Sequence, residues 1–289
     1  MSVELMLKSL DGLSIGDGFG AARGEMMFAD SSTELELPPP VWRWTDDTHM
    51  ALSIVENLSE YGEVRQDALA KRFGARFLAE PHRGYAFGAI SLLMELVKGA
   101  DWRQAAVGTF PDGSYGNGGA MRVAPLGAYF AGDPTKTAQQ AAFSATITHA
   151  HPEGKAGAIA TAVATSIAAT SPNLSPHEFI DEVILHTPES LTRRKMLLSK
   201  AIKIDDVEDA AINLGVGWDV SAQDTVPFCV WVAAHIPSDF EAAMWLTSSM
   251  GGDVDTTCAI VGGIIAPACG ELPAEWLARR EPLPDLQLG

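Results

Sequence analysis

The sequence predicts an all-α fold: one compact domain of many helices over residues 1–289. Three observations carry this. Segment after segment repeats apolar residues at helical spacing. No pair of alternating runs is joined by a hairpin turn. No linker and no repeat of fixed period divides the chain. A hydrophobic content of 47% is enough to fill a sizeable core.

In chain order, residues 3–15 carry Leu5, Met6, Leu10, Leu13 and Ile15 near helical spacing. The glycine-rich stretch 16–24 is expected to end that helix or turn the chain, and residues 31–40 to form an acidic, proline-ended surface loop. From Asp46 to Tyr61, Met50, Ile54, Val55 and Leu58 share one face. Residues 67–77 and 85–97 repeat the pattern, and 111–119 form a glycine-dense loop. Small residues over 153–170 suit a buried helix packed closely on its neighbours. Residues 176–187, 191–201 and 205–214 read as more exposed helices. Residues 226–232 are β-branched and aromatic, as in a strand, but run on to Ile236 without a turn, so helix is expected. Residues 240–249 and 256–268 complete the set, the latter glycine-containing and buried. The tail after Leu283 is proline-rich and expected to be loose.

Acidic residues outnumber basic ones 37 to 20, for a formal net charge of −17. That balance argues against a phosphate-tracking nucleic-acid groove and against an anionic membrane surface. Cys229, Cys258 and Cys269 form no Cys-x-x-Cys pair, which favours reduced core cysteines and a cytoplasmic protein. The N-terminus lacks the basic and apolar regions of a signal peptide. The apolar run 258–269 is too short to span a bilayer.

Two acidic turns stand out, Thr45-Asp46-Asp47-Thr48 and Gly251-Gly252-Asp253-Val254-Asp255-Thr256-Thr257. Each precedes an apolar run. Alone, the first reads as a threonine N-cap with acids suited to the helix dipole. Two such turns in one chain are harder to explain as caps. If they converge, four carboxylates and several hydroxyls meet, a hard-oxygen set suited to magnesium or manganese rather than zinc. In the loop Asp112-Gly113-Ser114-Tyr115-Gly116-Asn117-Gly118-Gly119, glycines expose backbone N–H groups and let a phosphate approach. No Gly-Lys-Ser/Thr follows, so it is not a P-loop; a plain surface turn is the alternative. Gly16-Asp17-Gly18-Phe19-Gly20-Ala21 fits a loose dinucleotide fingerprint, but the stretch before it reads as helix rather than the strand that motif needs. His149 and His151 lie two apart, so joint chelation is not expected. His149 reads as a hydrogen-bonding pocket residue and His151 as a cap or surface residue. Glu25 alone is just an exposed acid.

Trp44-Thr45-Asp46-Asp47-Thr48, Gly113-Ser114-Tyr115-Gly116-Asn117-Gly118-Gly119-Ala120-Met121-Arg122-Val123, Thr148-His149-Ala150 and Gly251-Gly252-Asp253-Val254-Asp255-Thr256 together resemble the ADP-ribosylglycohydrolase family. The motifs stand in family order across nearly the whole chain, and the long glycine segment resembles the serine-ADP-ribose hydrolase branch. Arg83-Gly84-Tyr85 and Thr225-Val226-Pro227 fit as well. The resemblance implies an all-α fold with two Mg2+ (or Mn2+) ions in a central cleft. It implies Thr45, Asp46, Asp47, Asp253, Asp255 and Thr256 as metal ligands. It places Gly113, Ser114, Tyr115, Gly116, Asn117 and Gly118 on the diphosphate and distal ribose, with Asp46, His149 and Trp218 also near the ADP-ribose. Glu25, Asp46 and Asp47 become the candidate catalytic carboxylates. The implied reaction is hydrolysis of the glycosidic bond at C1 of the distal ribose, freeing an acceptor on a protein or a small conjugate. A monomer is expected. Two departures stand out: Gly24 where the family has Glu, with Glu25 one residue later, and Val254 in place of Thr. The alternatives are a non-catalytic relative that binds ADP-ribose or serves structurally, and a metal-dependent phosphohydrolase.

Overall fold

Glycines at 12, 16, 20 and 24 recur every fourth residue, so on a helix they share one side and leave a groove of bare backbone. The computed structural model describes residues 1–29, 36–286 and 288, and among them the whole stretch 16–24 is helical. The helices are α1 (Val3–Ala29), α2 (Asp46–Tyr61), α3 (Gln66–Ala79), α4 (Phe87–Val97), α5 (Trp102–Ala105), α6 (Ala124–Tyr129), α7 (Pro134–Thr146), α8 (Pro152–Thr170), α9 (Pro176–His186), α10 (Leu191–Ser199), α11 (Val207–Leu214), α12 (Ala222–His235), α13 (Phe240–Ser249), α14 (Val254–Ile265) and α15 (Ala274–Arg279). The described residues contain no strand, only two isolated bridges, Trp42 with Arg280 and Gly116 with Ser221.

The expected turn at 16–24 is therefore corrected: α1 continues through it, and the reason is its partner. α14 runs antiparallel along the glycine groove. A β-carbon at Gly12 would lie 2.4 Å from the Gly262 carbonyl oxygen, at Gly16 2.1 Å from that of Cys258, and at Gly20 2.5 Å from that of Val254. Glycine costs roughly 1 kcal/mol per residue in helix propensity, which this backbone-to-backbone packing offsets. At Gly24 the nearest atom, Val254 Cβ, is 3.9 Å away, so the helices have begun to part. The pairing sets the first turn of α14 beside the middle of α1.

α2 matches its expected limits and is buried from Asp47 to Leu58, ending at Gly62 with φ +70°. α8 is the small-residue helix anticipated. A β-carbon at Gly127 of α6 would lie 2.1 Å from the Ala162 carbonyl oxygen, and one at Gly157 2.7 Å from Ala222 Cβ of α12. Residues 226–232 are helical, within α12. A short 3-10 turn, Asn117–Gly119, ends the glycine-dense loop. Helices α5, α6, α7 and α15 were not anticipated. α7 did carry a signal: Asp133 accepts from the Lys136 N–H at 3.0 Å with Pro134 behind it, an N-cap followed by proline. Half of the expected acidic loop at 31–40, residues 31–35, lies outside the described residues; residues 36–40 are irregular, as are 284–286 of the tail. No helix among the described residues is long and apolar enough to cross a membrane, and all three cysteines are free and buried.

Candidate active site

Asp17 lies where three elements meet. It is fully buried in mid-α1 and faces the N-terminus of α2. One carboxylate oxygen accepts the Thr48 N–H at 3.0 Å and the Thr48 hydroxyl at 2.5 Å. The other accepts the Thr45 hydroxyl at 2.8 Å, and the Thr45 N–H lies within 3.0 Å of both. Asp17 thus does from another helix what an N-cap side chain does locally. Thr45 occupies the N-cap position, but its hydroxyl makes no cap bond and lies between Asp17 and Asp47, 2.9 Å from Asp47 Oδ2. The simple cap reading of Thr45 is thereby replaced.

The acidic turns converge. Asp46, Asp47, Asp253, Asp255 and Thr256 all line one cavity of about 310 Å3, within the range of small-molecule sites. Asp46 and Asp47 open α2, Asp255 lies in the first turn of α14 and Asp253 precedes it, so two helix N-termini face the cluster. One carboxylate oxygen from each of Asp17, Asp47 and Asp255 lies within 4.8 Å of the other two. Burial, with the Asp255 charge added, pushes Asp17 up to about 7 against the opposing hydrogen bond from Thr48. Burial and Asp255 likewise push Asp253 up to about 7. Burial and the neighbouring carboxylates raise Asp46 and Asp47 well above the usual range.

These residues fit a divalent cation. Asp47 Oδ1 is buried without a hydrogen-bond partner, and an orphaned buried oxygen is costly unless something binds it. The donors are all oxygen, the class magnesium and manganese take. Among the described residues, the one arginine in the cavity wall, Arg122, spends its hydrogen bonds on the Ser144 carbonyl oxygen and Thr148 rather than on these carboxylates.

The glycine loop forms the facing wall through Ser114, Tyr115, Gly116, Asn117 and Gly118. Gly113 does not line the cavity. With φ +82°, it pins the loop to the chain at 150–151, where a β-carbon would lie 2.4 Å from the His151 nitrogen. Ser114 Oγ accepts the Gly116 N–H at 3.1 Å, tightening the turn. Asn117 spends its amide donors inside the protein, on Thr225 Oγ1 at 3.1 Å and Asp253 Oδ2 at 2.7 Å, and so ties the loop to the acidic cluster. Tyr115 stands half exposed, its ring edge-on to His151 at 5.5 Å. His151 caps α8, accepting the Glu153 N–H at 3.1 Å. His149 lies in the wall. Trp218 does not: it is 70% exposed beside Gly251, while Val220 of the same loop lines the cavity at a φ of +51°. Such a φ is strained for a β-branched residue. Glu25 is exposed on α1 and is not brought to the cluster. It falls about 80° around the helix from Asp17, whereas Gly24 falls on Asp17's side.

Sequence reasoning missed Asp17, Arg122, Thr148 and Val220. For Asp17 the signal was a carboxylate on the glycine side of what proves to be a helix. Arg122 and Thr148 stood inside recognised motifs but without a role. The remaining wall is apolar and comes from α4, α5 and the following turn, including Ala89, Leu92, Leu93 and Phe110. Behind Asp46, Gly84 is the near neighbour, where a β-carbon would lie 3.5 Å from Asp46 Oδ1. The Arg83 guanidinium stacks on Trp44 at 3.5 Å, and Tyr85 bonds His49 at 2.8 Å, bracing the turn that carries Thr45 to Asp47.

A family model described as ADP-ribosylglycohydrolase matches residues 4–287. The chain is 30% identical to the ADP-ribosylhydrolase ARH3 of Homo sapiens over 269 residues, covering 81% of this chain and 73% of the human one. It is 29% identical over 279 residues to an uncharacterized protein of Archaeoglobus fulgidus, covering 92% of this chain and 88% of that one. Among solved structures, one described as an ADP-ribosylglycohydrolase-related protein complex superposes with a TM-score of 0.70 at 21% identity, covering 96% of this chain and 93% of that chain, a likeness of fold.

Proposed function

The chain belongs to the ADP-ribosylglycohydrolase family, and from that premise we propose that it is a magnesium-dependent hydrolase of the glycosidic bond at C1 of an ADP-ribosyl group. The acceptor is a protein side chain or a small conjugate. One observation carries the reading: two acidic turns some two hundred residues apart in sequence share a cavity with the glycine loop, and a buried carboxylate oxygen there lacks a partner.

The cavity has two chemistries. The acidic end suits ribose hydroxyls and cations, and the apolar end toward Leu92 and Phe110 suits a flat base. The Ser114 hydroxyl and the loop's backbone N–H groups other than those of Gly113, Gly116 and Asn117, which are bonded internally, suit the diphosphate between them. Thr45, Asp46, Asp47, Asp253, Asp255 and Thr256 would hold the metal, with Asp17 added to the set. Bound there, the ion supplies Lewis-acid orientation of ribose oxygens and of water. Asn117 holds Asp253 in place through its amide N–H. In the reaction the bond from C1 to the acceptor breaks with its electron pair going to the acceptor, which takes up a proton. Water oxygen bonds to C1 and gives up a proton, leaving free ADP-ribose. Of the three carboxylates considered for moving these protons, Asp46 and Asp47 face the cavity and Glu25 does not, so Asp46, the less buried of the two, is assigned the role.

A second reading, ADP-ribose binding without turnover, draws on Gly24 and on the exposure of Glu25. Incubation with a serine-ADP-ribosylated peptide and Mg2+, with products resolved by mass spectrometry, separates the readings. Free ADP-ribose and unmodified peptide support the hydrolase. Tight ADP-ribose binding without release supports the second reading, and AMP points instead to diphosphate cleavage.

A further inference from the structure

The hydrogen bonds behind His149 determine which of its ring nitrogens carries the proton. Its Nδ1 lies 2.7 Å from the Thr148 hydroxyl oxygen. That same oxygen lies 2.8 Å from Arg122 Nη2. A guanidinium has only hydrogens to offer, so Thr148 Oγ1 accepts from Arg122. The hydroxyl still has one hydrogen to donate, and its remaining partner among the described residues is His149 Nδ1. Nδ1 is then the acceptor, and a neutral ring must carry its proton on Nε2.

Arg122 has little freedom to act otherwise. It is fully buried, with Nη1 3.3 Å from Met50 Sδ, Nη2 3.2 Å from the Ser144 carbonyl oxygen and the guanidinium 4.5 Å from the centre of the Phe73 ring. Burial and the nearby Arg122 charge hold His149 down at about 3, so the ring stays neutral. Nε2 has no protein partner among the described residues. It overlooks the glycine loop, where β-carbons at Gly116 and Gly118 would lie 3.3 Å and 3.0 Å from it. Glycine at both positions leaves that nitrogen uncovered.

We propose that Arg122 and Thr148 are positioning residues that lock His149 in the Nε2–H tautomer, making it a fixed, neutral hydrogen-bond donor to a ligand oxygen lying against Gly116 and Gly118. Under the proposed function, that oxygen belongs to the diphosphate or a ribose of the ADP-ribosyl group. The lock gives His149 a binding role and withdraws it from proton transfer, since Nδ1 is occupied and Nε2 holds its proton.

The test is a long-range 1H–15N correlation spectrum of the 15N-histidine-labelled full chain, with His149 assigned by its loss in His149→Gln. The wild-type protein is expected to show the Nε2–H pattern at neutral pH. Thr148→Val removes the relay hydrogen and is expected to lose the single-tautomer pattern. It is also expected to weaken binding of free ADP-ribose by about 5- to 10-fold, the value of one such hydrogen bond. Thr148→Ser is expected to restore both. An Nδ1–H ring in the wild type, or a Thr148→Val variant that keeps both the Nε2–H pattern and full affinity, would overturn the proposal. An Nε2–H ring in a protein that does not bind ADP-ribose would support the lock and count against the proposed function instead.

Discussion

Gly20→Ala and Gly24→Ala place the same methyl group four residues apart on α1, and their outcomes are expected to differ in sign. At Gly20 the new β-carbon would sit 2.5 Å from the Val254 carbonyl oxygen and 2.7 Å from Asp255 Cα. Both are backbone atoms, so no side-chain end can swing away. Restoring ordinary contact requires α1 and α14 to separate by roughly 1 Å, and because backbone meets backbone the overpacking cost lies at the upper end of the usual range, about 3 kcal/mol. Alanine returns about 1 kcal/mol of helix propensity, which leaves a net loss of about 2 kcal/mol. At about 2 °C per kcal/mol for a chain this long, Tm falls by about 4 °C. At Gly24 the nearest atom is 3.9 Å away, an ordinary contact. There the propensity gain stands alone, and stability rises by about 0.5–1 kcal/mol. Scanning calorimetry of the two variants measures both, and Mg2+ titration adds a second readout. Because Asp255 moves with the first turn of α14, Gly20→Ala is also expected to weaken metal binding, whereas Gly24→Ala leaves it unchanged. A Gly20→Ala protein as stable as wild type with undiminished Mg2+ affinity would refute the argument that the glycine groove sets the acidic cluster.

Asp255→Asn keeps the shape of the side chain and removes a charge from the cluster; Mg2+-dependent turnover is expected to fall to background while far-UV circular dichroism is unchanged. Asp17 and Asp253 stand near 7 when folded against 3.8 as the unperturbed value, so the folded metal-free chain holds protons that the unfolded chain gives up. The stability this provides is present below about pH 4 and lost as pH rises toward 7. In EDTA, Tm is therefore expected to fall across that window, and saturating Mg2+ to reverse the fall; a Tm that rises through it without metal would contradict the assignment. Val220→Asn, which relieves a β-branched residue held at φ +51°, is expected to stabilise the chain by about 1 kcal/mol, measurable by urea denaturation.

Much of the fold was legible because amphipathic helices announce themselves. α2 and α13 match their expected limits, and the small-residue helix α8 packs as its composition implies. The failures have a common physical origin in tertiary contact. Gly16, Gly18 and Gly20 read locally as a turn, and only a second backbone at close range makes them helical. The same oversight hid Asp17, whose role as a cap for α2 arises 28 residues from Thr45 and leaves no local mark. Of the candidate site, Asp46, Asp47, Asp253, Asp255 and the glycine loop come together around one cavity. Trp218 and Glu25 do not join them, since each was placed by motif spacing, which says nothing of which way an exposed side chain points. Arg122 and Thr148 acquire meaning only once their bonds to each other and to His149 are seen.

The acidic cluster and the glycine loop are proposed to form one Mg2+-dependent site for an ADP-ribosyl group. The most direct test is the release of ADP-ribose from a serine-ADP-ribosylated peptide, followed with Mg2+ present and after EDTA treatment, for wild type and Asp255→Asn side by side. Release by wild type only with Mg2+, and by Asp255→Asn in neither condition, is the expected result. Undiminished release in EDTA, or by the variant, would contradict it.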